Sequence, residues 1–126
     1  TSQLEPTELA VRIDSMPGTY ACLVARSNPD DFASTGSTTK FTHSCGICLD
    51  LSTNKIKFVT NEGSASLNAA TFNSFSLPVY FKLVITNHAQ RCEGYYKFGE
   101  LSSWNNNGFT HDYTTGQYET LGIMVT

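Results

Sequence analysis

The segment Val79–Thr86 reads Val-Tyr-Phe-Lys-Leu-Val-Ile-Thr, and its alternation constrains the fold more than any other feature of the chain. Successive side chains of a strand point to opposite faces, so Val79, Phe81, Leu83 and Ile85 share one apolar face. Tyr80, Lys82 and Thr86 share the other. The first set is predicted to be core, and the second to face outward.

The same period recurs along the chain. Leu9–Asp14 and Thr19–Arg26 read as strands, separated by the turn Met16-Pro17-Gly18 and ended by Ser27-Asn28-Pro29-Asp30-Asp31. Ala33–Thr39 is a Ser/Thr/Gly-rich loop. In Phe41–Leu51, Cys45, Ile47, Leu49 and Leu51 lie on one side and Gly46, Cys48 and Asp50 on the other. Ser52-Thr53-Asn54 turns that strand into Lys55–Thr60, a hairpin in which Ile56 and Phe58 alternate with Lys55 and Lys57. Asn61-Glu62-Gly63 is the next turn. Ser66–Ser74 is the one segment that could be a short helix. Tyr95–Leu101 and Glu119–Val125 complete the strands, with Leu121, Ile123 and Val125 expected to point inward and the polar stretch Ser102–Gly116 between them.

About eight strands with turns every 8–12 residues or so predict one antiparallel β-sandwich or jelly-roll-like domain. Thr1–Glu8 is expected to be a linker or arm, and residues 9–126 the β domain. The chain opens on Thr1 rather than Met, which suggests a processed product or an excised domain.

Charged residues make up 15% of the chain, against roughly 25% in an average domain. Eight Phe, six Tyr and one Trp occupy part of that share, and they suit a pleated, half-buried surface. The net charge is −3 and no two Lys or Arg are adjacent, so no basic footprint for nucleic acid is visible. No apolar run approaches the roughly 20 residues that cross a bilayer, and membrane insertion is not expected.

Chemistry could reside in His43-Ser44-Cys45-Gly46-Ile47-Cys48. A zinc site there would need Cys22, Cys92 or His88 to complete four ligands, and a second closely spaced pair is missing. A redox pair belongs at a helix N-terminus, whereas these cysteines sit on opposite faces of a strand-like segment. The four cysteines allow two disulfides in three connectivities, or four thiols. The absence of any Asn-x-Ser/Thr sequon tilts the expectation toward reduced thiols. Asp30-Asp31 and His111-Asp112 offer oxygens to calcium but no EF-hand-like series, and turn capping is the simpler role. Glu93 and Glu100 could pair as acid and base, yet Glu93 falls in an apparent Cys92-Glu93-Gly94 turn and reads as a solvated carboxylate. The three histidines, His43, His88 and His111, belong to no nucleophile or zinc motif. The chain is therefore expected to be neither an enzyme nor a holder of a cofactor, calcium and zinc being the alternatives.

Binding is better represented. Tyr95-Tyr96-Lys97-Phe98-Gly99 and Trp104-Asn105-Asn106-Asn107-Gly108-Phe109 combine large rigid aromatic area with adaptable amides. The plainer alternative puts Trp104 in the core and the asparagines in left-handed turns. With the outward residues of Val79–Thr86, the expected contact set is Tyr80, Lys82, Tyr95, Lys97, Trp104, Asn105 and Asn106.

Val79-Tyr80-Phe81, Gly94–Gly99, Trp104-Asn105 and Phe109-Thr110-x-Asp112 together resemble the C-terminal, protruding domain of nodavirus capsid proteins. The resemblance covers about a third of the chain. It implies a compact β domain that follows a capsid shell domain through a short linker. Such domains associate into spikes on the virion surface and meet a host receptor or glycan. Thr1–Glu8 would then be the linker, a basic RNA-binding arm would lie upstream, and Glu119–Val125 would close the capsid protein. Fish nodavirus spikes are trimeric and carry an acidic calcium-binding segment with no counterpart here. The dimeric spike of crustacean nodaviruses is the closer resemblance, and it implies a homodimer. A carbohydrate-binding module, such as a phage fibre tip or bacterial lectin, is the rival expectation.

Overall fold

The computed structural model of the chain describes residues 7–15, 18, 20–26, 44–53, 55–61, 65–71, 77–113, 116–118 and 120–125. Among them are nine strands: β1 (Thr7–Ile13), β2 (Tyr20–Arg26), β3 (Ser44–Asp50), β4 (Lys55–Asn61), β5 (Ala65–Thr71), β6 (Val79–Thr86), β7 (Arg91–Lys97), β8 (Thr110–Asp112) and β9 (Thr120–Val125). They form two antiparallel sheets, β1-β6-β7-β8 and β5-β4-β3-β2-β9. The sandwich expected from the sequence is present. Its connectivity is two meanders, with β1 and β9 each returning to the side of a sheet laid down elsewhere in the chain.

The period-2 segments fall where their side chains require. Val79, Phe81, Leu83 and Ile85 are buried in the core, while Tyr80, Lys82, Val84 and Thr86 are half-exposed on the outer face of the first sheet. From the second sheet come Leu23, Cys45, Ile47, Leu49, Ile56 and Phe58. A sheet buried on one face alternates apolar and polar residues, as β6 does. In β3, by contrast, all seven residues are buried. Its far face joins a second cluster of Cys22, Val24, Cys48 and Val59, flanked by Tyr20.

Both disulfides form, and this overturns the expectation of reduced thiols. Cys22 and Cys48 are register partners on β2 and β3, with Cα atoms 4.1 Å apart. Cys45 on β3 reaches across the core to Cys92 on β7 at a Cα separation of 6.8 Å and ties the sheets together. Cys45 and Cys48 do point to opposite faces, so each takes a different partner. Sequence spacing could not reveal that register.

Four further expectations are corrected. Residues 65–71 form a strand, β5, rather than part of a helix: its backbone completes the ladder beside β4, from Lys55↔Thr71 to Asn61↔Ala65. Pairing overrides the modest helix preference of its Ala and Leu residues. Residues 72–74 lie outside the described residues. Cys92-Glu93-Gly94 is not a turn but the start of β7, which runs from Arg91 to Lys97 rather than from Tyr95 to Leu101. The reversal is completed earlier, because Asn87, His88 and Ala89 are all left-handed (φ 55°, 57° and 65°) and Gln90 N–H donates to Thr86 O.

Thr7 and Glu8 belong to β1, opposite Ile85 and Val84, and not to an arm. Finally, Ile123 does not point into a closed core and remains 59% exposed. It sits on edge strand β9 beside a groove of about 330 Å³ shared with Val11, Ile13, Ala21 and Phe81. Leu121 does pack against the core. The expected turns at 16–17, 27–31 and 62–63, the loop at 33–39, and His43 lie outside the described residues, as does the Val125 side chain.

Candidate functional site: a cation-aromatic face

The outer face of the first sheet brings together five of the seven residues expected to make contacts. Register pairs Tyr80 with Lys97 and Lys82 with Tyr95. Because i and i+2 share a face, these four side chains form a square in which cation and ring alternate along and across the strands. Trp104, from the loop after β7, lies over the square. The Lys82 ammonium is 4.9 Å from the Tyr95 ring centroid and 4.8 Å from that of Trp104. The Lys97 ammonium is 5.3 Å from the Tyr80 centroid and 4.6 Å from that of Trp104. All four distances are within cation–π range. Trp104 is thus neither a core residue nor a bare platform. It is half-buried with two cations over its ring.

Hydrogen bonds hold the square. Lys97 Nζ donates to Glu100 O at 2.7 Å. The Tyr95 hydroxyl donates to the Glu93 carboxylate, two residues back on the same face. That bond, then burial, pushes the Tyr95 phenol up to about 12. Arg12 on neighbouring β1 hydrogen-bonds Tyr80 and lies 2.8 Å from Asp14, and those contacts raise the guanidinium further. Among the described residues neither Lys82 nor Lys97 forms a salt bridge. Beside the square, the turn after β7 carries Leu101, fully exposed, and Phe98, 39% exposed.

Asn105 and Asn106 do not join the square. Asn105 makes a two-way backbone bridge with Tyr96, N to O at 2.9 Å in each direction. The Asn106 amide donates to Gly94 O (2.8 Å) and Phe109 O (3.0 Å) and pins the loop to β7. Asn107 and Gly108 supply the left-handed turn (φ 53° and 74°). The expected contact set omits Arg12 and Glu93, the latter having read as a solvated carboxylate. The period-2 spacing of Glu93 from Tyr95 was the available signal, hidden by the apparent turn.

The other tempting groups are engaged elsewhere. Asp112 accepts two hydrogen bonds from Arg91, at 2.8 and 3.3 Å, across the β7–β8 pair. All four cysteines are in disulfides, so the Cys-x-x-Cys spacing holds no thiol pair. Glu93 and Glu100 occupy opposite ends of the square. No group of three or more His, Cys, Asp and Glu side chains converges among the described residues. Asp30 and Asp31 lie outside those residues.

On the far face of the second sheet, Asp50 accepts from Lys57 Nζ (2.8 Å), Ser52 N (3.0 Å) and Ser52 Oγ (2.6 Å). Burial by itself would raise this carboxyl. The bonds from Lys57, Ser52 and Thr53, with the Lys57 charge, outweigh it and hold the group at about 2. Tyr20, under the same lysine at 5.9 Å, is pushed up to about 12 by burial and by the Asp50 charge.

Comparison with protein-family models, with curated proteins and with solved structures found no significant match to this chain.

Proposed function

We propose that this domain is an adhesion module rather than a catalyst, and that its Tyr80–Lys82–Tyr95–Lys97–Trp104 face grips acidic groups of a cell-surface glycan. One observation carries the reading: two ammonium groups outside any described salt bridge are held over three aromatic rings on a half-exposed sheet face. Lysines so placed suit a carboxylate or sulfate, and the rings offer area for the apolar side of a sugar. A neutral sugar stacked on these rings would gain nothing from the two ammonium groups, whereas an acidic one would pair with them. The arrangement therefore favours an acidic saccharide over the neutral ligand of an ordinary lectin.

The setting proposed is the one the resemblance implies: a spike domain on the virion surface of a nodavirus-like capsid, carried by a shell domain and attaching to a host cell. Two disulfides suit an oxidising exterior. Association into spikes belongs to the same proposal, and many copies on one particle would turn weak single contacts into firm attachment.

The test is binding of the intact chain to immobilised heparin, a sulfated polysaccharide, beside a neutral glucan. Binding to heparin alone, weakened about tenfold or more in Lys82→Ala/Lys97→Ala and in Trp104→Ala and falling with salt, is expected. Equal binding to both surfaces, or heparin binding indifferent to these substitutions, would refute the proposal.

A further inference from the structure

Among the described residues β1 is an edge strand, and its sequence is self-complementary. Its outward-facing residues are Glu8, Ala10 and Arg12, all exposed, while Leu9, Val11 and Ile13 turn half-buried toward the core. On its inner side β1 pairs with β6, and it ends the first sheet. A second antiparallel β1 centred on Ala10 would place Leu9 opposite Val11, and Glu8 opposite Arg12, twice. The residue on the axis is small, so the two charged pairs flank it without crowding. Arg12 can turn to this exchange, because its present contacts, a hydrogen bond to Tyr80 and an ion pair with Asp14 exposed on both sides (56% and 59%), lie at the surface, where such pairs hold weakly.

We infer that two copies of this chain dimerise through β1, paired antiparallel about Ala10 with reciprocal Glu8–Arg12 ion pairs, into one continuous eight-stranded sheet. A two-fold axis through an antiparallel pair is normal to the sheet, so both outer faces stay on the same side. Each cation-aromatic square lies between β6 and β7, level with Ala10 and Arg12. With strands about 4.8 Å apart, the two squares would sit about 20 Å apart on one surface. This bivalence rests on the adhesion reading above; the dimer does not. Charged residues on an edge strand can instead serve to keep copies apart. The experiment separates the two roles.

Sedimentation equilibrium from micromolar to millimolar concentration is the measurement, with circular dichroism to show that each variant folds. A monomer–dimer equilibrium is expected. Glu8→Arg and Arg12→Glu should each weaken it tenfold or more, since like charges then face each other twice. Mixing the two single variants should restore a dimer containing one of each, and the chain carrying both reversals should dimerise with itself. A monomer at every concentration would overturn the inference. So would a dimer indifferent to the single reversals, or a mixture that fails to complement. Heparin binding per chain, measured below the dimer's Kd, reads the square alone. Loss of either property with retention of the other identifies which proposal has failed.

Discussion

At Gly94 the β7 backbone lies close against side chains of the opposite sheet, and Gly94→Ala tests that packing. A Cβ at position 94 would lie 3.1 and 3.2 Å from Cδ1 and Cε1 of Phe58, and 3.4 Å from Cβ of Ile47. The Phe58 ring is fully buried and stacked on Phe109, with centroids 5.4 Å apart and planes 7° from parallel. It cannot yield without disturbing that stack. Overpacking of this kind costs about 1–3 kcal/mol. Replacing Gly with Ala in a strand returns roughly 0.5–1 kcal/mol by restricting the unfolded chain. The net expectation is a loss of about 1–2 kcal/mol, and a fall in Tm of roughly 3–6 °C for each kcal/mol in a domain of this size.

Urea unfolding of four chains measures it: parent, Gly94→Ala, Phe58→Leu and the double variant. If the clash is with the ring, Phe58→Leu should relieve it, and the double variant should be about 1 kcal/mol more stable than the sum of the singles predicts. Gly94→Ala within about 0.5 kcal/mol of the parent, or strict additivity, would refute the close-approach argument.

Three other predictions follow from the same structure. The Cys45–Cys92 and Cys22–Cys48 bridges close loops of 47 and 26 residues, so replacing each pair with Ala should cost about 4 and about 3.5 kcal/mol on chain-entropy grounds; alkylation of the unreduced, denatured chain should label no cysteine, and four labelled thiols would contradict the pairing. Asp50 titrates lower in the fold, at about 2, than its ordinary 3.8, so its stabilisation is complete above about pH 4 and disappears as pH falls through about 2. Asp50→Asn should therefore lose about 2 kcal/mol at neutral pH and show a flatter stability profile between pH 4 and 2, measured by denaturant unfolding at each pH. Tyr95 should ionise near 12 in an ultraviolet titration and move toward 10 in Glu93→Gln, and an unmoved titration would mean that the Glu93 bond does not set it.

The fold was legible wherever one short segment carries its own period. β6 and the β3–β4 hairpin show an apolar–polar alternation that no helix could place on one face, and they lie as expected. Legibility failed where a residue answers to a distant partner. Gly94 looked like punctuation between Cys92 and Tyr95. It is in fact the space a ring from β4 occupies, and nothing within several residues of it encodes Phe58. β5 lacks alternation and becomes a strand because β4 offers an unpaired edge. Ile123 alternates correctly with Leu121, but among the described residues β9 is the last strand of its sheet, and Ile123 lines a groove that the opposing layer leaves open.

At the candidate site, period 2 made Tyr80, Lys82, Tyr95 and Lys97 readable as outward pairs. It could not say that they face one another, because that depends on the register of β6 against β7. Asn105 and Asn106 were chosen for adaptable hydrogen bonds, and those bonds are made to the backbone of the protein itself.

The location of the cation-aromatic face follows from how the two sheets divide their work. β3, at the centre of the second sheet, is buried on both sides, and its neighbours add a second apolar cluster and a disulfide there. The first sheet has one covered face and one wet face, so its outer surface is where a broad ordered display can form. β7 makes the link explicit. Cys92, Gly94 and Tyr96 point inward as disulfide, close approach and core ring, while Glu93, Tyr95 and Lys97 point outward. A slip of one residue would exchange the two sets. The Cys45–Cys92 bridge and the fit of Gly94 against Phe58 each forbid that slip, and they thereby fix which cations and rings meet on the far side. Backbone register thus sets where these cations and rings stand, whatever freedom the lysine side chains keep.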